Sequence, residues 1–309
     1  MLKYDNNLGA KPFLKWAGGK SQLLNTIEDK FPTEIKKSRK INKYFEVFVG
    51  GGALFFHLMN NYEVKEAYLF DINRELILTY NVIKKSPKEL IGLLSGLQEE
   101  YVPLEQDDRK EYYLNIRNLF NESLKDFDYD NYSDEHIARA SQVIFMNKTC
   151  FNGLFRLNRH GEFNVPHGRY KNPLICDDKN IKAVSKTLKN THIINGNYYD
   201  SEELIDDESL VYLDPPYRPL SSKSNFTTYA GFEFTDEHQI ELADFYKRIS
   251  DKGAKAILSN SDPKNEDEND NFFDDLYKDY TIERINANRS INSNADKRGP
   301  INELLIRNY

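Results

Sequence analysis

Along the chain, short continuous apolar runs alternate with apolar residues at helical spacing. The run YFEVFV (44–49) reads as a strand, and GGGALFFHLM (50–59) as a glycine turn opening a helix. AYLFDIN (67–73) predicts a second strand ending in an acid, followed by the helix ELILTYNVIKK (75–85). THIINGNYY (191–199), SLVYLDPPY (209–217), AKAILSN (254–260) and NELLIRNY (302–309) read as further strands. FTDEHQIELADFYKRI (234–249) is a helix with Thr235 as its N-cap. Upstream, KPFLKWAGGK (11–20) is an apolar loop containing glycine, and Leu23, Leu24, Ile27 and Phe31 share one face of a helix beginning near Ser21. KKSRKINK (36–43) reads as a basic linker.

Between these regions the rhythm changes. Residues 86–140 are helical and highly charged, without a clear strand, and residues 148–173 are loop-rich and rich in arginine. Within the latter, LFRLNRHGEFNVP predicts a hairpin turning at Gly161. No internal repeat is present. The expectation is an α/β fold, a doubly wound and mostly parallel sheet, interrupted by a helical and loop or hairpin insertion. The domain reading is 1–79 with 186–309 as one domain and 80–185 as the other. Ligands on such sheets sit at the carboxyl ends of strands, which puts Gly50–Gly52, Asp71 and Asp214–Tyr217 on one rim.

Composition narrows the classes. The longest apolar runs fall short of the ~20 residues of a membrane span, and MLKYDNNLGAKPF lacks the apolar core of a signal peptide. Two cysteines outside any CxxC or His-rich spacing exclude a zinc site or disulfide framework, so the expectation is a cytoplasmic protein without a metal. Net charge is −7, which taken whole disfavours a nucleic-acid partner. Its distribution changes that reading. Residues 262–279 carry eight acids and two lysines, a local −6 that reads as a solvated surface loop. Residues 148–171 carry five cations and one acid, and phosphate responds to this local +4 field. His160 and His167 read as surface residues.

Two features carry chemistry. Phe48-Val49-Gly50-Gly51-Gly52 joins a strand to a helix, and glycine allows backbone to approach a ligand there. Asp71 ends the next strand 21 residues after Gly50, a spacing at which an acid can accept ribose hydroxyls. The bland alternative is that Asp71 caps the following helix. Together the pair suggests a nucleoside-containing cofactor. The second feature is Asp214-Pro215-Pro216-Tyr217 after LVYL. An exocyclic amine on a nucleobase is a poor nucleophile because its lone pair is delocalised. The Asp214 carboxylate and the Pro215 carbonyl can accept its two N–H groups and free that lone pair. Proline removes a competing donor, and Tyr217 can stack on the base. A base within a duplex must be flipped out to reach such a site.

These motifs and their order resemble the Dam-type N6-adenine DNA methyltransferases of the D12 class, alpha group, and most of the chain takes part. FLKWAGGK (13–20), YFEVFVGGGALFF (44–56), FDINRELI (70–77), KTCFNGLFRLNRHGEFNVPHGRYKNP (148–173), VYLDPPY (211–217) and NRSINSNADKRGPINELLIRN (288–308) match in sequence order. The resemblance implies a Rossmann-like methyltransferase sheet, S-adenosyl-L-methionine as cofactor and double-stranded DNA as substrate. By it, Trp16, Lys20, Asp71 and Asp214 contact the cofactor, with Phe48, Gly50 and Gly52 of the glycine motif. Asp214, Pro215, Pro216 and Tyr217 form the site for the target amine. The segment 148–173 resembles readers of GATC. There Phe151 falls on an aromatic wedge, Asn152 near the orphaned thymine and Arg156 on a guanine-reading arginine. Pro166, Arg169 and Tyr170 fall on further DNA-contacting positions. Residues 84–140 align with no motif. One active site per target adenine suits a monomer on DNA. DPPY also serves cytosine N4 methylation, so another base or site, and a non-catalytic DNA-binding paralogue, stand as alternatives. Partnership with a restriction nuclease is a property of neighbouring genes.

Overall fold

A computed structural model describes residues 9–218, 228–229, 232–288 and 300–309. Residues 289–299 of the expected C-terminal motif lie outside the described residues. The elements are α1 Leu24–Asp29, α2 Thr33–Ser38, β1 Lys40–Glu46, α3 Ala53–Asn61, β2 Glu63–Asp71, α4 Arg74–Lys85, α5 Pro87–Tyr101, α6 Gln106–Glu122 and α7 Asp134–Thr149. They continue with α8 Asp178–Thr187, β3 Thr191–Asn195, β4 Ser209–Leu213, β5 Thr228–Tyr229, β6 Phe232–Glu233, α9 Asp236–Asp251, β7 Lys255–Ser261, α10 Phe272–Leu276, β8 Thr281–Asn288 and β9 Pro300–Arg307.

Seven strands form one sheet in the order β3-β2-β1-β4-β7-β9-β8. The β1–β2, β1–β4 and β4–β7 pairs are parallel, and β9 runs antiparallel to both β7 and β8. This is the mixed α/β, mostly parallel sheet that the alternating rhythm predicted. Every residue of β4 is buried, as its unbroken apolar text requires of a central strand covered on both faces.

The fold divides into two compact units. One comprises residues 1–19, 50–60 and 71–195, the other 20–49, 61–70 and 196–309. In the first, α4 packs against α7 through a buried ion pair. Arg139 Nε donates to both carboxylate oxygens of Glu75, at 2.9 and 2.8 Å, and the guanidinium lies 4.1 Å from the Phe120 ring centroid. A buried charge persists only when paired in this way. In the second unit the core is aromatic and aliphatic, with Tyr44, Phe45, Phe245, Tyr246, Phe273 and Tyr277 buried.

Two local expectations change, and one segment that carried no expectation takes a place in the sheet. The linker at 36–43 holds the end of α2 and the start of β1. Ile41 is buried between the exposed Lys40 and Asn42, while Lys43 is half-buried. The segment TIERINAN forms the edge strand β8. The acidic stretch 262–279 is a solvated loop only at residues 266–269. Around it Phe273 and Tyr277 enter the core, and the acids meet arginines: Arg284 donates to Asp262 at 3.0 Å and Asp274 at 2.7 Å, and Arg218 to Asp270 at 2.6 Å. Local −6 charge thus includes carboxylates already paired within the protein.

Candidate active site

The glycine turn and its acid belong to the first unit. Gly50 and Gly52 adopt φ of 47° and 67°, where a side chain is strained. A Cβ on Gly50 would lie 2.7 Å from Cδ1 of Trp16, and one on Gly52 would lie 2.6 Å from the Tyr80 hydroxyl. Tyr80 donates to the Gly50 carbonyl at 3.2 Å. Asp71 is 3% exposed, and its carboxylate holds this turn: Oδ2 accepts the Gly50 N–H at 3.0 Å and Oδ1 the Asn73 N–H at 2.9 Å. The cap of α4 is Asn73, whose side chain accepts the Leu76 N–H at 3.1 Å. Asp71 therefore organises the glycine turn rather than capping the helix. Trp16 is half-buried beside Gly50 and stacks on Phe155, with centroids 5.5 Å apart.

The DPPY turn belongs to the second unit, at the carboxyl end of β4. Lys20, 7% exposed, lies 3.0 Å from Oδ1 of Asp214, and its Nζ sits 4.4 Å from the Tyr217 ring centroid. Ser259 on β7 donates to the same Oδ1 at 2.8 Å, and Tyr212 Oη lies 3.0 Å from Ser259 Oγ. Tyr217 Oη donates to Glu303 of β9 at 2.8 Å. Burial raises the Tyr217 phenol well above its usual range, and the Asp214 and Glu303 carboxylates add to it, so it stays protonated. The backbone is held as well: Gln239 donates to the Pro216 carbonyl at 3.1 Å, and Asn260 donates to Gln239 at 3.1 Å. Among the described residues nothing donates to the Pro215 carbonyl. Phe48 packs tilted on Tyr198 at 5.5 Å and edge-on to Phe234 at 6.1 Å.

The arginine-rich segment returns to the first unit. The expected hairpin is present, with Leu157 paired to Phe163 and Gly161 at φ 79°. Its backbone hangs on the helices before it. Asn147 of α7 donates to the carbonyls of Lys15 and Gly153, at 2.9 and 2.8 Å, and accepts the Lys15 N–H at 2.9 Å. Tyr113 donates to the Val165 carbonyl at 2.7 Å, and Arg109 to the carbonyls of Tyr170 and Lys171 at 3.1 and 2.8 Å. Several side chains on this backbone face solvent. Phe151 is 52% exposed, and Asn152, Arg156, Pro166 and Arg169 are exposed. Asn152 and Arg169 take left-handed φ of 57° and 56°. Arg156 Nε donates to Asn164 Oδ1 at 2.7 Å, which orients the guanidinium. Tyr170 is half-buried, with Lys15 Nζ 5.3 Å from its ring centroid. His167 departs from its expected surface position. It is half-buried, its Nε2 lies 2.6 Å from Tyr101 Oη, and burial together with Arg169, Arg109 and Lys110 lowers its pKa.

Residues 16–291 match the family described as D12 class N6 adenine-specific DNA methyltransferase. The chain belongs to this family. It is 48% identical to the Type II methyltransferase M.MjaIII of Methanocaldococcus jannaschii, over 97% of this chain and 99% of that protein. It is 39% identical to the Type II methyltransferase M1.LlaDCHI of Lactococcus lactis subsp. cremoris, over 100% and 99%. It is 34% identical to the DNA adenine methylase of Escherichia coli, over 96% and 94%. The protein is thus an adenine-specific DNA methyltransferase, which decides for adenine where DPPY alone left cytosine open.

For a methyltransferase of this class, the groups missed in the sequence are those that orient the motif residues. Ser259, Glu303 and Asn147 lie on strands or helices that read as ordinary core-forming elements. The one available signal was a polar residue inside an apolar run, as in AILSN. Among the described residues no cluster of metal-binding side chains occurs, and no helix is long and apolar enough to cross a membrane.

Proposed function

We propose that this methyltransferase uses S-adenosyl-L-methionine to methylate adenine N6 within GATC in double-stranded DNA. The observation that carries the chemistry is the acceptor pair of the DPPY turn. Asp214 is held by Lys20 and Ser259, while the Pro215 carbonyl receives no donor among the described residues. An ionised carboxylate and an unpaired carbonyl are the two acceptors that an amine with two N–H groups requires. Fixed before the reaction, they stabilise positive charge as it develops on that nitrogen. Tyr217 supplies a ring for the flipped base, on the face away from Lys20.

The cofactor reading is supported by the glycine turn, whose left-handed backbone glycine takes without strain and which Asp71 latches; its residues suit a group carrying ribose and an amino-acid moiety. Trp16, Lys20, Phe48, Gly50, Gly52, Asp71 and Asp214 would hold it. When bound, it supplies an electrophilic methyl group on a sulfonium.

The site reading rests on the segment 148–173 and its resemblance to readers of GATC. Phe151, Asn152, Arg156, Pro166, Arg169 and Tyr170 are its DNA-contacting residues, and the exposure of the first four and of Arg169 suits that role. Residues 80–185 serve as the target-recognition domain, and 1–79 with 186–309 as the catalytic domain. The enzyme acts as a monomer in the cytoplasm, a reading that the two free, buried cysteines support.

The test is methylation of unmethylated duplex with labelled cofactor, followed by GATC nucleases that methylation blocks. Protection is the expected result. Label entering adenine without protection would overturn the GATC assignment and leave the family chemistry intact.

A further inference from the structure

The two oxygens of Asp214 have different surroundings. Oδ1 receives Lys20 Nζ at 3.0 Å and the Ser259 hydroxyl at 2.8 Å. No hydrogen bond among the described residues ends on Oδ2. The source of this asymmetry is the sheet. Leu213 of β4 pairs with Leu258 of β7 in parallel register, so the next residues, Asp214 and Ser259, emerge side by side. Ser259 is 1% exposed, in a strand buried from Ala256 to Ser261, and a buried hydroxyl must place its one proton and accept another.

That proton has one strong destination. The carboxylate of Asp214 can only accept, and at 2.8 Å it is closer than the Leu213 carbonyl at 3.5 Å. The Tyr212 phenol, 3.0 Å from Ser259 Oγ, must then donate to Ser259. Burial and the neighbouring Asp214 raise the Tyr212 pKa well above its usual range, so the phenol keeps the proton it donates. The result is a directed chain, Tyr212 to Ser259 to Asp214 Oδ1. Carboxylate torsions are broad and twofold, so an aspartate without this chain could exchange its oxygens.

We propose that Ser259 is a positioning residue for methyl transfer: oriented by Tyr212 and acting with Lys20, it fills Oδ1 of Asp214 and assigns Oδ2 to the target amine. This rests on the reading of Asp214 as an amine acceptor. Ser259 touches neither substrate nor cofactor in this role. Its effect falls on the chemical step, and binding and base flipping are left alone.

The test uses the full chain, a duplex with 2-aminopurine at the target adenine for flipping and binding, and an unmodified duplex for single-turnover transfer. Ser259→Ala should slow transfer at saturating DNA and cofactor by about 10- to 100-fold, the range for losing a hydrogen bond to a charged group. Its Kd for DNA and for cofactor, the 2-aminopurine signal and the Tm should stay at parent values. Tyr212→Phe should slow transfer less, by about 3- to 10-fold for a neutral bond. In the Ser259→Ala background it should add little, because both changes break one chain. Should Ser259→Ala not fold, Tyr212→Phe alone decides by the same split between rate and binding. Asp214→Ala separates the two readings. Transfer by Asp214→Ala at the parent rate removes the acceptor reading and this proposal with it. Inactive Asp214→Ala beside Ser259→Ala at the parent rate overturns the proposal alone. A rate loss that follows equal losses of binding or Tm also overturns it, since a structural role would give that pattern.

Discussion

In the proposed function the DPPY turn and the segment 148–173 both offer side chains for work on DNA, yet they are built in opposite ways. At the turn the side chains are tethered, with Oδ2 of Asp214 the one side-chain acceptor of the turn left over among the described residues. Lys20, Ser259, Gln239 and Glu303 each take a bond from the turn or give one to it, and Tyr217 is held by ring and phenol at once. In the recognition segment the backbone is the tethered part. Asn147, Tyr113 and Arg109 bond main-chain groups, while Phe151, Asn152 and Arg169 project into solvent. Chemistry needs dipoles fixed before charge develops, because reorganising them during the reaction costs rate. Reading needs donors whose partners arrive with the DNA, on a backbone stiff enough to hold their register.

The comparison is broken most directly at Asp214. Asp214→Ala should lower single-turnover transfer by about 1,000-fold or more, with DNA affinity changed little. Parallel loss of affinity would mean that the turn also serves in reading. The mirror experiment is Arg156→Ala. Losing a bidentate pair with guanine costs about 1–3 kcal/mol, or about 10- to 100-fold in kcat/KM on the preferred site. Discrimination at one base position should relax, measured by competition among duplexes altered one pair at a time. Uniform weakening on every duplex would instead assign Arg156 to phosphate.

The same contrast explains what the sequence made legible. The positions of Asp214 and Tyr217 at a strand's carboxyl end were visible because the apolar run LVYL leads into them, and that of Asp71 because it closes another such run. Phe151, Asn152 and Arg156 were singled out only through resemblance, since exposed cations and aromatics look alike in any loop. Ser259 and Glu303 stayed hidden because their meaning lies in register: β7 beside β4, and β9 antiparallel to β7. Strand β8 and the first half of β1 were obscured because few apolar residues stand among charged and polar ones there, without clean alternation, and composition alone reads such text as polar. The acidic stretch misled for a related reason. Net charge counts Asp262, Asp270 and Asp274 as free, whereas Arg284 and Arg218 hold them.

If the turn is tethered for the sake of chemistry, its last tether should also matter. Glu303→Ala removes the acceptor of the Tyr217 phenol and leaves Lys20 against the ring face. A hydrogen bond to a charged acceptor is worth about 1.5–3 kcal/mol, and since only part of that loss reaches the target nitrogen through the ring, transfer should slow by about fivefold, with a changed 2-aminopurine signal from a base stacked less firmly. Glu303→Gln keeps an oxygen acceptor and should stay within about twofold of the parent, which separates the tether from the charge. If Glu303→Ala matches the parent in both rate and fluorescence, Lys20 alone fixes the ring. The phenol bond would then stabilise β9, and the tethering of the turn would end at Asp214.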